Sequence, residues 1–384
     1  MKNTLFLLVG LALLLSACQN RPAPAIAGEP LATEMPTPSP TDNPPAPSTT
    51  LIPTTMATTT PTVTPIPTPT ATATPAPAAH RLTTGGCCWG VFWLDGKVAF
   101  IDRPTADAPA AFYGISPDGG TVSILEKRMG TFLNRGQYLS FQENGRLVIE
   151  RRSDGKRLDL SRLPDLTGLS ISLSPDGRQI SWTVRESEGP YDQRRSQIWR
   201  AGFDGLAPQL VITLFGGGLT AWLPGDRWLM TGREDVREAG RSLFVYHLTT
   251  GKRIELYRAL SFRNVSTSPD GEWVIFVVAL DPQKDRNGAW LARADGSERH
   301  KLDWFGAFAW RDSRRILYMP FQTEAKAHAV WEYDVATGRS RPLTDPAVTP
   351  FKVAQGDFAF SPDGNYLAFV SADDFNIWVL PLPK

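Results

Sequence analysis

A ten-residue pattern recurs along residues 81–384 and limits the possible folds more than any other feature. It consists of an apolar residue, a tight turn and an alternating apolar strand. The clearest copy is FSPDGNYLAF from Phe360, and LSPDGRQISW from Leu173 and TSPDGEWVIF from Thr267 keep its spacing. Looser copies are FLNRGQYLSF from Phe132, WLPGDRWLMT from Trp222 and WRDSRRILYM from Trp310, with a shortened WLDGKVAF from Trp93. Pro presets φ for a turn, Asp bonds its own backbone and Gly accepts positive φ, so the chain reverses between two strands. A second pattern alternates with the first: a hydrophobic strand, a turn ending in Gly and a strand closing on Leu. VWEYDVATGRSRPL from Val330 and LFVYHLTTGKRIEL from Leu243 are examples, with Leu256 and Leu343 each five residues after Gly251 and Gly338. The SPDG at residues 116–119 belongs to this second pattern.

One copy of each pattern makes a four-stranded unit. Turns of the first pattern fall near residues 96, 136, 177, 225, 271, 313 and 364, a mean spacing that fits the ~40–45 residues per unit of a propeller. The expected fold is therefore all-β, a seven-bladed β-propeller over residues 80–384, with six or eight blades left open by the poor second unit. These repeats resemble the WD40-like repeats of TolB-type β-propellers over about 300 residues. The resemblance implies the fold and is nearly silent on function. The last unit has no closing Gly-to-Leu strand, and HRLTT from His80 is similar to RPLTD from Arg341. Residues 80–84 are thus expected to supply the outer strand of the last blade and close the ring, leaving no exposed end blades.

Upstream, the chain changes character. Residues 4–15 (TLFLLVGLALLL) form an apolar run after Lys2, too short for the ~20 residues a membrane span needs and of signal-peptide length. Leu15, Ser16, Ala17 and Cys18 follow, and this ending resembles the lipobox of bacterial lipoproteins. The resemblance implies a signal peptide over 1–17 and a lipidated Cys18 as the new N-terminus; an ordinary secretory signal is the alternative. Residues 21–80 hold 16 of the 33 prolines and 16 threonines. Such a segment buries no core, so 18–79 reads as a disordered tether of polyproline-II character, or else as a Pro-rich ligand. The expected location is extracytoplasmic and lipid-anchored, with the membrane as a partner.

In antiparallel order the short SPDG-type and Gly turns share one propeller face, and the longer, more varied loops share the other. Binding residues usually sit on such loops. The candidates there are Arg185, Tyr191 and Arg195 in the third unit, Arg233 and Arg237 in the fourth, Lys284 and Arg286 in the fifth, and Lys352 before the last. Mixed-charge solvated surface is the bland alternative.

Other chemistry is sparse. A net charge of +1 gives no footprint for nucleic acid. Four His and three Cys leave little for a metal site. Cys87 and Cys88 are adjacent; a vicinal disulfide, two buried thiols, and intermolecular or metal use stay open. His247, His300 and His328 fall in different units, and no G-x-S-x-G elbow occurs. Trp93, Trp222 and Trp310 share one repeat position, which argues for packing between blades. The expected role is a non-catalytic platform, not an enzyme, without cofactor or metal, binding an envelope protein, peptide or glycan. The alternatives are a propeller enzyme acting on polysaccharide or peptide at the central channel mouth, and a small-ligand sensor.

Overall fold

The computed structural model describes residues 78–384 apart from 87, 104, 106, 161–162, 164–169 and 323. The expected signal segment, Cys18, the tether to residue 77 and Cys87 lie outside the described residues. Cys88 is disulfide-bonded.

The described chain is all β apart from 3-10 geometry at Leu160 and in the turn Lys284–Arg286, and its strands are arranged as a β-propeller. Five sheets have four strands each, and a sixth has seven. The seven-stranded sheet differs from the separate blades expected there. Its cause is one 15-residue strand, Gln209–Leu223, that pairs with Arg195–Gly202 along its first part and with Arg227–Arg233 along its second. The ring closes as the repeats imply, over fewer residues: His80 and Arg81 pair with Val379 and Trp378.

The turn chemistry explains the repeat. In the copy from Leu173, Ser174 Oγ donates to Asp176 Oδ1 (2.6 Å) and accepts the Gln179 N–H (2.9 Å), while Asp176 accepts the Arg178 N–H (3.0 Å). Ser361 and Asp363 make the same set of bonds, and Ser268 with Asp270 does too. The glycine is needed twice over. Gly177 has φ +66°, and a Cβ on it would sit 1.9 Å from the Tyr138 hydroxyl of the preceding sheet. Each such turn therefore presses on the neighbouring unit as well as reversing its own strands.

The core lies between units. Val274, Ile275, Phe276, Val277 and Val278 are all buried, because both faces of this strand are covered. One side meets Leu229 and Val245 of the preceding unit; the other meets Ile316 and Tyr318 of the next. Across the closure, Val98 and Phe100 pack with Ala368 and Val370. Two of the three equivalent tryptophans bond across a seam: Trp222 Nε1 to Ser181 Oγ (3.1 Å) and Trp93 Nε1 to the Ala359 carbonyl (3.0 Å).

Candidate functional site

The long loops gather on one face, with one exception: Asn144 and Gly145 form a two-residue hairpin instead, matching the Asn-Gly preference of a tight hairpin turn. Exposed apolar side chains concentrate on this face, among them Tyr191, Leu260, Leu280, Phe305, Phe321 and Phe375. Phe305 and Phe321 pair edge to face with ring centroids 6.3 Å apart.

The densest cluster of functional groups is where Gln209–Leu223 crosses from one half of the seven-stranded sheet to the other. Gly216 and Gly217 make that crossing possible. A Cβ on Gly217 would lie 1.9 Å from the Thr231 carbonyl oxygen, and one on Gly216 2.7 Å from the Asp192 carbonyl oxygen. The close approach draws the 186–194 loop down over the strand. Arg185 then donates from Nη2 to the Gly217 carbonyl (3.0 Å) and from Nε to Ser196 Oγ (3.1 Å). Two guanidiniums lie over the Tyr191 ring, with Arg185 Cζ 5.0 Å and Arg241 Cζ 5.1 Å from its centre. Neither arginine has a carboxylate partner among the described residues.

Beneath them Arg233 is buried, 8% exposed. It donates to the Glu238 carbonyl (2.8 Å) and to the Asp192 carbonyl, and its Nη2 is 3.5 Å from Asp192 Oδ2. Its Nε is buried without a partner among the described residues. Arg233 thus fixes both long loops. Glu238 in turn takes Arg258 at 2.5 Å, and this bond holds the Glu238 carboxyl below its usual range.

The other sequence candidates are placed apart. Arg195 is paired with Glu186 (2.9 Å) and Arg237 with Asp235 (2.5 Å) at the exposed rim. The Arg237 bond pulls Asp235 down to about 2. Arg286 stacks on Tyr257 at 5.4 Å, reaches Asp281 at 3.5 Å, and lines a cleft of about 330 Å³ with Arg258 and Leu260. Lys284 sits in the 3-10 turn. Lys352 lies near His328, whose pKa is lowered by burial and then by that ammonium. His328 Nδ1 accepts the Val353 N–H at 3.2 Å, so the neutral ring carries its proton on Nε2. Two members of the cluster escaped the sequence reading. Arg241 opens a strand whose polar start looks like ordinary surface, and Gly217 stands in the run FGGGL from Phe215, where an unbroken strand hides the crossing.

Chemically, the cluster offers spare positive charge beside an aromatic face, which suits a carboxylate-bearing ring. Among the described residues no group of three or more His, Cys, Asp or Glu side chains is arranged to hold a metal ion.

No protein-family model matches the chain, and no curated protein does. Solved structures do. A crystal structure of oligogalacturonate lyase from Vibrio parahaemolyticus is similar at TM-score 0.52 and 10% identity, over 80% of this chain and 92% of that one. Oligogalacturonate lyase in complex with manganese is similar at TM-score 0.52 and 13% identity, over 81% of this chain and 99% of that one. Putative TolB from Agrobacterium tumefaciens is matched at TM-score 0.39 and 17% identity, over 69% and 95%. At these identities the two lyases establish a shared propeller fold.

They also correct the expectation of a non-catalytic platform, and with it the expectation that the chain is no enzyme. That reading leaned on the missing nucleophile elbow and the sparse His and Cys. The match spans 99% of the manganese-bound lyase, so a propeller of this extent is by itself a sufficient scaffold for an enzyme. The described residues offer no cluster of three or more His, Cys, Asp or Glu side chains that would hold the manganese of that neighbour.

Proposed function

We propose that this chain is an enzyme acting on an acidic polysaccharide at the channel mouth on its long-loop face. The observation that carries the reading is the pair Arg185 and Arg241 gathered at the Tyr191 ring, whose charges meet no carboxylate of the described protein. A uronate carboxylate placed there gains charge-assisted partners. Neutralising that carboxylate also acidifies the carbon–hydrogen bond beside it, which is what an elimination reaction requires. The whole-length likeness to oligogalacturonate lyase supports the same substrate class. Counting the seven-stranded sheet as two blades that share one strand gives the seven blades implied by the repeats. The lipobox-like ending at Cys18 and the Pro/Thr-rich segment support a lipid-anchored, extracytoplasmic enzyme on a long tether.

The test is to incubate the full-length chain with oligogalacturonate, a neutral glucan and a casein peptide mixture, and to follow product masses. Shortening of oligogalacturonate alone is expected, with the rate falling about tenfold or more in both Arg185→Ala and Arg241→Ala. Unchanged oligogalacturonate beside a cleaved peptide would refute the reading.

A further inference from the structure

The opposite face, formed by the short turns, carries a second site. A cavity of about 460 Å³ lies between the turn holding Asp95 and the two turns of the next unit, and Arg135, Arg151, Arg152 and Ser153 line it. A volume of this size takes a small organic molecule. Two of its arginines are already matched. Arg152 grips Asp95 with both terminal nitrogens (3.1 and 2.7 Å), and Arg151 meets Asp154 at 3.1 Å. Arg135 has no hydrogen bond, ion pair or ring contact among the described residues. Three guanidiniums against two carboxylates leave one positive charge unmatched.

The repeat shows that Arg135 is not there for the fold. Aligned on the glycine of the turn, Arg135 stands where Asp176, Asp270 and Asp363 stand in the clear copies. Those aspartates cap their turns through their own side chains. Arg135 lacks an acceptor oxygen, so it gives up that cap, and it holds a left-handed backbone at φ 55° in doing so. Asn134, at φ 47°, bonds the Ser174 carbonyl (2.8 Å) and pins the turn to the next unit instead. A turn that abandons its capping carboxylate for an unpaired cation above a cavity is a departure with a cost, and such departures cluster at functional sites.

We infer that this cavity binds a small molecule bearing one carboxylate, with Arg135 as its counter-ion and Ser153 as a further hydrogen-bond donor. The single unmatched charge selects a monoanion over a multiply charged one. The site is separate from the Arg185 cluster and does not depend on the enzyme reading.

Titration calorimetry on the full-length chain carrying Arg185→Ala and Arg241→Ala, which removes the uronate-binding cluster of the other face, tests this with three probes: glucuronate, glucose and inorganic phosphate. Glucuronate should bind at millimolar concentration and glucose should not. Arg135→Asp restores the residue of the other repeats, so it is expected to keep or raise the melting temperature while weakening glucuronate binding about tenfold or more. Arg135→Gln, which keeps a polar side chain without charge, should weaken it similarly. Undiminished affinity in Arg135→Asp, phosphate binding without glucuronate binding, or no glucuronate binding while Arg135 is intact would each overturn the inference. Turnover of oligogalacturonate, measured on the chain with Arg185 and Arg241 intact, reports on the other site alone.

Discussion

Arg311 is a charged residue that the core has taken in. It is 6% exposed, and its partner Glu332 is 4% exposed. Their side chains meet at 2.7 Å, Arg341 holds the other Glu332 oxygen at 2.7 Å, and Arg311 also donates to the Pro383 carbonyl at 2.9 Å. The chain end is thereby tied to the sheet before the last. Gly364 packs directly on this side chain, since a Cβ there would lie 2.3 Å from Arg311 Cγ. Removing one member of a buried pair strands the other, at a cost of roughly 3–5 kcal/mol. Glu332→Ala should therefore lower the unfolding free energy by about that amount in urea titration. A change below about 1 kcal/mol would mean that water reaches Arg311 and takes the place of the carboxylate. None of this was legible beforehand. The looser copy from Trp310 shows Arg311 in a turn, where arginine is ordinarily solvated, and only the approach of Gly364 from the next unit buries it. Trp222 is the contrary case: its place in the repeat foretold a seam contact, and its indole bonds Ser181 across that seam.

The turns were the most readable elements. Their Ser, Asp and Gly act on bonds a few residues away, so local sequence carries nearly all the information. The strand Gln209–Leu223 was the least readable. Its first half completes one repeat and its second half opens the next, and the expected break between them is absent. What allows continuity is the lack of a side chain at Gly217, a fact about the distance to Thr231 in another strand. Gly217→Ala tests this. The new methyl would meet a backbone oxygen that cannot rotate away, and overpacking of this kind costs about 3 kcal/mol. A clear fall in melting temperature is expected, together with displacement of the 186–194 loop and weaker action at the Arg185 cluster. Gly218→Ala is the control, because its Cβ would have ordinary contact with Thr183 at 3.5 Å. Equal stability of the two variants would remove Gly217 as the reason for the crossing.

On the scale of the whole molecule, the closed ring was legible and the site was not. Seven turn signals at regular spacing specify closure. A site assembled from loops of different units depends on which side chains meet, and that is set by loop conformations with no periodicity. Closure itself rests on few groups. Asp357 accepts the N–H groups of both Gly90 and Val91 at 2.9 Å, and the Thr83 hydroxyl accepts the Ile377 N–H at 2.9 Å. Asp357→Ala leaves two backbone donors without their partner at the joint between the last and first sheets. Amide hydrogen exchange should then rise in Trp89–Leu94 and Val353–Phe360 while Trp273–Val278 stays protected. A uniform rise across all sheets would show instead that the ring unfolds as one unit.

The shared strand has a mechanical consequence. Where two units share one strand, with Phe215 paired both to Arg195 and to Arg233, they cannot hinge against each other without breaking those pairs. Compliance must therefore lie elsewhere around the circle, and the two-residue pairing of His80 and Arg81 is the shortest joint in it. Pulled from its N-terminal side, such a molecule would part at the clasp and swing open as an arc, with the Arg185 cluster still assembled on the stiff segment opposite the gap.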